Sequence, residues 1–315
     1  MTVAQKSKQI IDELSKVVIG QEDFLRHLLI AFISGGHVLM EGVPGLGKTL
    51  TAKSLAKAVK SDFKRVQFTP DLMPSDIIGT NVFNAKDAEF HLKKGPVFTN
   101  ILLADEINRT PPKTQSALLE AMEERSVTID GETMKLPAPF FVIATQNPLE
   151  YEGTYPLPEA QLDRFLMKLY VNYISRESED QLLRGYQGNF TGAHARVEEI
   201  APVITPEDLA ECRAEIAAVN IEEGVLHYIT GITFATRQSM QIMLGASPRA
   251  SIALLLCART AAAMSGRDYV LPEDVVDVAL PVLRHRVILR PEAGTAGVNV
   301  DNVLMNVIRK VEIPR

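Results

Sequence analysis

Short apolar runs alternate with helical stretches, a glycine-rich loop joins one such run to a helix, and helical periodicity persists beyond residue 175. Together these predict an α/β fold, in which a parallel sheet covered by helices on both faces is followed by a smaller all-α domain. The 315-residue length favours two domains, placed at 1–174 and 175–315.

The first 34 residues predict helices. Ile10, Ile11, Leu14, Val17 and Val18 recur at helical spacing, and Phe24, Leu25, Leu28 and Leu29 do so again after a break at Val18–Gln21. His37–Glu41 is a short apolar run, hence a buried strand, and Thr49–Val59 returns to a helical pattern. Arg65–Phe68, Ile101–Ala104, Phe140–Thr145 and Met167–Val171 supply the remaining strands. Two hairpins interrupt this alternation. One pairs Val82–Phe83 with Phe90–Leu92, and the other pairs Val127–Ile129 with Thr133–Leu136 around Asp130-Gly131, a dipeptide suited to a turn with positive φ at both positions. Such insertions serve either partner contact or packing alone. After a looser connection at Gly185–Thr205, helices open at Thr205-Pro206, Ser247-Pro248 and Leu271-Pro272, each with proline at the first helical position.

The chain is 46 % hydrophobic and 23 % charged, the balance of a soluble globular protein. A net charge of −6 argues against a protein whose main task is holding nucleic acid, although a local basic channel would be compatible with it. Cys212 and Cys257 have no metal-site or disulfide spacing and are expected as small buried side chains. The polar start and the shortness of the longest apolar stretches predict neither a signal peptide nor a membrane span, and a cytoplasmic location.

Gly42-Val43-Pro44-Gly45-Leu46-Gly47-Lys48-Thr49 matches the phosphate-binding loop between a strand and a helix that begins with Thr49 and Leu50. Its glycines let backbone N–H groups converge on phosphates, and the helix N-terminus adds positive potential. Lys48 is placed to reach the β- and γ-phosphates of ATP, and Thr49 to ligate Mg²⁺. Ile101-Leu-Leu-Ala-Asp105-Glu106 is a buried strand ending in two acids, where ligands of such sheets gather. Asp105 would hold the metal's water shell, and Glu106 would polarise the attacking water. Asn147 ends another apolar strand, where its amide could hold that water; an Asn-Pro turn is the plainer alternative. Arg164 precedes the last strand, and Arg249 lies in the first turn of a helix, where the dipole disfavours a cation unless an outside anion such as phosphate compensates. Surface ion pairs are the alternative for both.

In this order, the loop, the Asp-Glu pair, the strand-terminal Asn, Leu162-Asp-Arg-Phe165 and Ser247-Pro-Arg249 resemble the AAA+ superfamily. More narrowly, the chain is similar to MoxR-type AAA+ ATPases along nearly its whole length. The segments that carry this are Phe68–Gly79, Gly95–Phe98, Ala104–Arg109, Ala117–Glu124, Glu152–Phe165, Gly245–Ala250 and Pro281–Arg286. No catalytic position departs from the pattern. The resemblance implies a P-loop AAA+ core with two hairpin insertions followed by a helical lid. It also implies Asn147 as sensor 1, Arg249 as sensor 2 touching ATP, Arg164 as an arginine finger donated to a neighbouring subunit, and Arg109 as a further interface arginine. Gly20 and Gln21 fall where the family contacts adenine. The resemblance further implies a ring, commonly a hexamer, that remodels or matures protein clients, often beside a von Willebrand factor A-domain partner. Two other readings stand next to an ATP-hydrolysing remodeller: a nucleotide-gated assembly module with negligible turnover, and a nucleic-acid translocase. The intact acid pair opposes the first and the acidic net charge the second.

Overall fold

The computed structural model describes residues 1–148, 153–187, 197–292 and 299–314. Glu152, the start of one family-like segment, lies outside the described residues, as do residues 188–196 of the connection expected at 185–205.

Two helices open the chain, α1 (Val3–Ser15) and α2 (Glu22–Ser34). Thr2 caps α1 reciprocally with Gln5, satisfying two N-terminal donors, and Gly35 ends α2 in the left-handed region. The chain then runs through β1 (His37–Glu41), α3 (Lys48–Ala58), β2 (Phe63–Gln67) and a short α4 (Pro74–Ile78). The first hairpin follows as β3 (Gly79–Asn84) and β4 (Glu89–Lys94), and then β5 (Ile101–Asp105) and α5 (Pro112–Glu124). The second hairpin is β6 (Ser126–Ile129) and β7 (Glu132–Lys135), ahead of β8 (Phe141–Gln146), α6 (Glu159–Leu162) and β9 (Phe165–Tyr170). At the turn of the second hairpin both Asp130 (φ 50°) and Gly131 (φ 87°) take positive φ, as the Asp-Gly pair predicted.

Five strands form one parallel sheet in the order β2-β5-β8-β1-β9. Its alternate side chains enter two separate cores. Val38, Met40, Leu103, Ile143 and Met167 join α1, α2, α3 and the C-terminal helices on one face. Leu39, Leu102, Ala104, Val142 and Phe165 join α5 and the hairpins on the other. This period-two division explains why the central strands β1, β5 and β8 read as apolar runs, whereas β2, at the sheet edge, exposes Lys64, Arg65 and Gln67 and is not the apolar run expected at Arg65–Phe68. His37 starts β1 fully buried: its Nδ1 accepts from the Val142 N–H (3.0 Å) and its Nε2 donates to the Met122 carbonyl (3.1 Å), which joins β1, β8 and α5. At the first hairpin Phe83 and Phe90 stack edge to face with centroids 5.3 Å apart, and both are exposed.

Beyond β9 the chain is helical: α7 (Arg176–Gln187), α8 (Pro206–Ala217), α9 (Glu223–Gln238), α10 (Pro248–Met264), α11 (Pro272–Leu283) and α12 (Val300–Ile308). Thr205 accepts from the Asp208 N–H as the proline-led start predicted, whereas the Ser247 hydroxyl leaves its own helix and donates to Asp163. One element departs from the all-helical expectation. Ile242–Leu244 (β10) and Ile288–Leu289 (β11) pair antiparallel, too short for any periodicity to announce them. Cys212 and Cys257 are free and buried. No described helix is long and apolar enough to cross a membrane.

Candidate functional site

Parallel register aligns the C-terminal ends of the strands in one row. Gln67 faces Asp105 across β2–β5, Ala104 faces Ala144 across β5–β8, and Glu41 faces Gln146 across β8–β1. The residues that leave these ends, Glu106, Asn147 and Gly42, therefore emerge side by side. Ligands of open α/β sheets gather along such an edge.

The phosphate-loop sequence turns directly out of β1. A Cβ on Gly42 would meet the Val171 carbonyl at 2.6 Å, so only glycine lets the loop leave this close to the β9 side. Gly45 (φ 90°) and Gly47 (φ 81°) carry the curl that ends in α3, with Lys48 and Thr49 in its first turn. The Lys48 ammonium donates to the Gly42 carbonyl at 2.6 Å, which folds it over the mouth of the loop. Leu46 and Leu50 pack against the core, anchoring the loop from behind. Gln21 donates to the Leu46 carbonyl at 3.4 Å, tying the Gly20-Gln21 turn to the same loop. That turn also lines a cavity of about 610 Å³, shared with Tyr170, Tyr173, Asp277 and Arg284.

The two acids are held by neighbours on both sides. The Thr145 hydroxyl, fully buried on β8, donates to Asp105 Oδ1 at 2.6 Å and accepts from the Glu106 N–H at 2.9 Å. Arg65 grips Asp105 Oδ2 through Nε (3.1 Å) and Nη2 (2.7 Å). Glu106 Oε2 accepts from Gln67 Nε2 (2.8 Å) and Arg109 Nη1 (3.1 Å). Glu106 itself sits at φ +58°, a left-handed conformation that costs a residue with a side chain energy and recurs where geometry is imposed for function. A threonine hydroxyl and an aspartate carboxylate are hard oxygen donors of the kind Mg²⁺ takes, so Thr49 and Asp105 suit that ion. Asn147 is buried just past β8, next to the loop.

Arg164 and Arg249 form a second group. The Arg164 Nε lies 3.0 Å from Glu123 Oε2, and the Arg249 Nη2 lies 3.4 Å from Glu123 Oε1. The turn before β9 and the start of α10 thus converge on one carboxylate at the end of α5. Glu123 gives Arg249 an anionic partner from within the chain, the ion-pair alternative to an outside phosphate. Asp163, next to Arg164 in the chain, pairs with Arg286 at 2.7 Å.

Sequence reasoning missed Arg65, Gln67, Thr145 and Glu123. Arg65 and Gln67 alternate along β2, and Thr145 and Asn147 lie two apart on and just past β8, so a period-two reading of polar positions at the strand ends would have raised three of them. Glu123 carries no local signal, because its partners lie 41 and 126 residues downstream.

Residues 37–167 match the family described as "ATPase family associated with various cellular activities (AAA)", and residues 234–305 match the AAA lid domain. A Bacillus subtilis protein, YeaC, described as uncharacterized, is 48 % identical over 96 % of this chain and 93 % of its own length. Chaperone MoxR1 of Mycobacterium tuberculosis is 43 % identical over 98 % of this chain and 82 % of its own. A crystal structure from Cytophaga hutchinsonii, provisionally described as an ATPase, superposes with a TM-score of 0.90 at 46 % identity, covering 99 % of this chain and 96 % of that one. With the phosphate loop, the paired acids and the lid arranged on one parallel sheet, the chain belongs to the MoxR-type AAA+ ATPases.

Proposed function

We propose that this chain binds Mg·ATP at the Gly42–Thr49 loop, hydrolyses it within a ring of identical subunits, and uses the cycle to remodel or mature protein partners. The observation that carries the reading is the row formed by the loop, Asp105, Glu106 and Asn147, with Glu106 held at positive φ by contacts to both its backbone and its carboxylate. Such restraint on a general base is preorganisation for one geometry of attack. Lys48 would swing from the Gly42 carbonyl to the β- and γ-phosphates, and Gly20-Gln21 would border the base. Bound Mg²⁺, held through Thr49 and Asp105, would supply charge neutralisation on the phosphates. Glu106 would accept a proton from water as it attacks the γ-phosphate in line, with Asn147 orienting that water.

Arg164 would complete a neighbouring subunit's site as an arginine finger, a contribution on the order of a thousandfold or more in turnover. Because Arg249 shares the Glu123 carboxylate with Arg164, both guanidiniums would be presented together when a phosphate displaces that carboxylate. Family likeness supports a hexamer and a partner bearing a von Willebrand factor A domain. The name of Chaperone MoxR1 supports protein clients.

The test is Glu106→Gln, which keeps the shape and loses the base. Nucleotide affinity, read by titration with a fluorescent ATP analogue, should stay within a few-fold of the parent while phosphate release disappears. Parental turnover in that variant would remove Glu106 from the chemistry.

A further inference from the structure

The turn that carries Arg164 is gripped from the far half of the chain. Arg286 lies just beyond α11 with its side chain 3 % exposed. A guanidinium has five N–H donors in a fixed fork, and here every one has an acceptor. Nε donates to Asp163 Oδ1 at 2.7 Å, Nη1 to the carbonyls of Leu166 (3.0 Å) and Val282 (2.5 Å), and Nη2 to those of Phe165 (2.7 Å) and Asp163 (3.3 Å). The acceptors at 163, 165 and 166 bracket Arg164, while the one at 282 belongs to α11.

The neighbours of Arg286 extend the grip. His285 Nε2 donates to the Phe165 carbonyl at 2.9 Å, and Arg284 Nη1 to the Lys168 carbonyl at 3.3 Å. Three consecutive side chains thus cover β9, which is an edge strand of the sheet. The Ser247 hydroxyl donates to Asp163 Oδ2 at 3.4 Å, two residues before Arg249. Burial alone would disfavour the Arg286 charge, and Asp163 opposes that by hydrogen bond and attraction. Lysine has neither the planar fork nor enough donors to take its place.

We propose that Arg286 is a positioning residue for Arg164: it fixes the backbone on both sides of the finger and fastens it to α11, so that a subunit's lid and its outgoing finger move as one body. This rests on the reading of Arg164 as a finger acting in trans. With the backbone clamped, exchange of Arg164 between Glu123 and an incoming phosphate needs side-chain rotation alone. Without the clamp the turn is free to follow its pairing with Glu123, and the finger is withdrawn.

The experiment separates finger donation from folding by mixing variants of the full chain. Lys48→Ala subunits should lack turnover but still donate a finger; Arg164→Ala subunits should keep an intact loop and donate none. Arg286→Met removes the fork at similar length, and Asp163→Asn, which keeps the backbone acceptors, serves if Arg286→Met fails to fold. Alone, each should lose turnover by about 10- to 100-fold, the cost of misplacing a catalytic group by an ångström or so. Affinity for a fluorescent ATP analogue should be unchanged. Excess Lys48→Ala should restore activity per competent subunit to the level it restores in Arg164→Ala. If Arg164→Ala is rescued and the Arg286 and Asp163 variants are not, or if those variants turn over like the parent, Arg286 is no positioning residue for the finger. If Arg164→Ala itself is not rescued, the trans-finger reading fails and this proposal falls with it.

Discussion

Thr145→Val tests whether one buried hydroxyl sets the geometry of the acid pair. The substitution keeps the volume, so little cavity forms, but it removes a bond to the Asp105 carboxylate (2.6 Å) and leaves the Glu106 N–H (2.9 Å) without its acceptor. A hydrogen bond to a charged group contributes about 1.5–3 kcal/mol, and an unsatisfied buried donor costs about 1–3 kcal/mol. Arg65 still holds the other Asp105 oxygen and offsets part of this. The expected loss of folding stability is therefore roughly 2–4 kcal/mol, read as a lowered urea midpoint at unchanged slope. Glu106 at φ +58° would also relax, since a contact opposing its strain is gone. Turnover should then fall by about tenfold or more with little change in KM for ATP, because the phosphate loop is untouched. Thr145→Ser, which retains the hydroxyl, should recover most of both. If Thr145→Val unfolds within about 0.5 kcal/mol of the parent and keeps its turnover, the hydroxyl bridge does not organise this site.

Lys48→Ala should weaken ATP binding by about 10- to 100-fold, the value of one or two charge-assisted bonds, in titration with a fluorescent analogue; unchanged affinity would exclude Lys48 from phosphate contact. Stability should also depend on pH through His37, whose imidazole is pushed down to about 4 by burial and whose Nδ1 must stay unprotonated to accept from Val142. Because the folded-state value lies below the unfolded one, the unfolded chain takes the proton first. The contribution is full above about pH 6.5 and is lost as pH falls toward 4, by up to about 3 kcal/mol. Buried His285, held well below its ordinary value, adds to the loss in the same direction. Denaturation across this range should show a shallower acid-side decline in His37→Gln, and an identical decline would remove His37 as its source.

Much of the architecture was legible because local and global signals agreed. The central strands β1, β5 and β8 appear as apolar runs since both faces are covered, and Asp130-Gly131 announced its hairpin through turn chemistry alone. The glycine loop and the strand-end acids were equally legible, because their residue types are dictated by backbone curvature and by position at the sheet edge. What stayed hidden depends on contacts distant in sequence. Glu123 is one acid among several on α5 until Arg164 and Arg249 reach it, and Arg286 is a charged residue after a helix until its acceptors 120–123 residues upstream are in place. The β10–β11 pair is likewise invisible, since two and three residues carry no period.

The central claim, an ATPase whose site is completed by a neighbour, is tested most directly by steady-state ATP hydrolysis with Mg²⁺ across protein concentration, comparing the parent with Arg164→Ala. The account predicts activity per subunit that rises with concentration in the parent and falls by about a thousandfold in the variant. Activity flat with concentration and indifferent to Arg164 would mean that each site works alone, contradicting the ring mechanism.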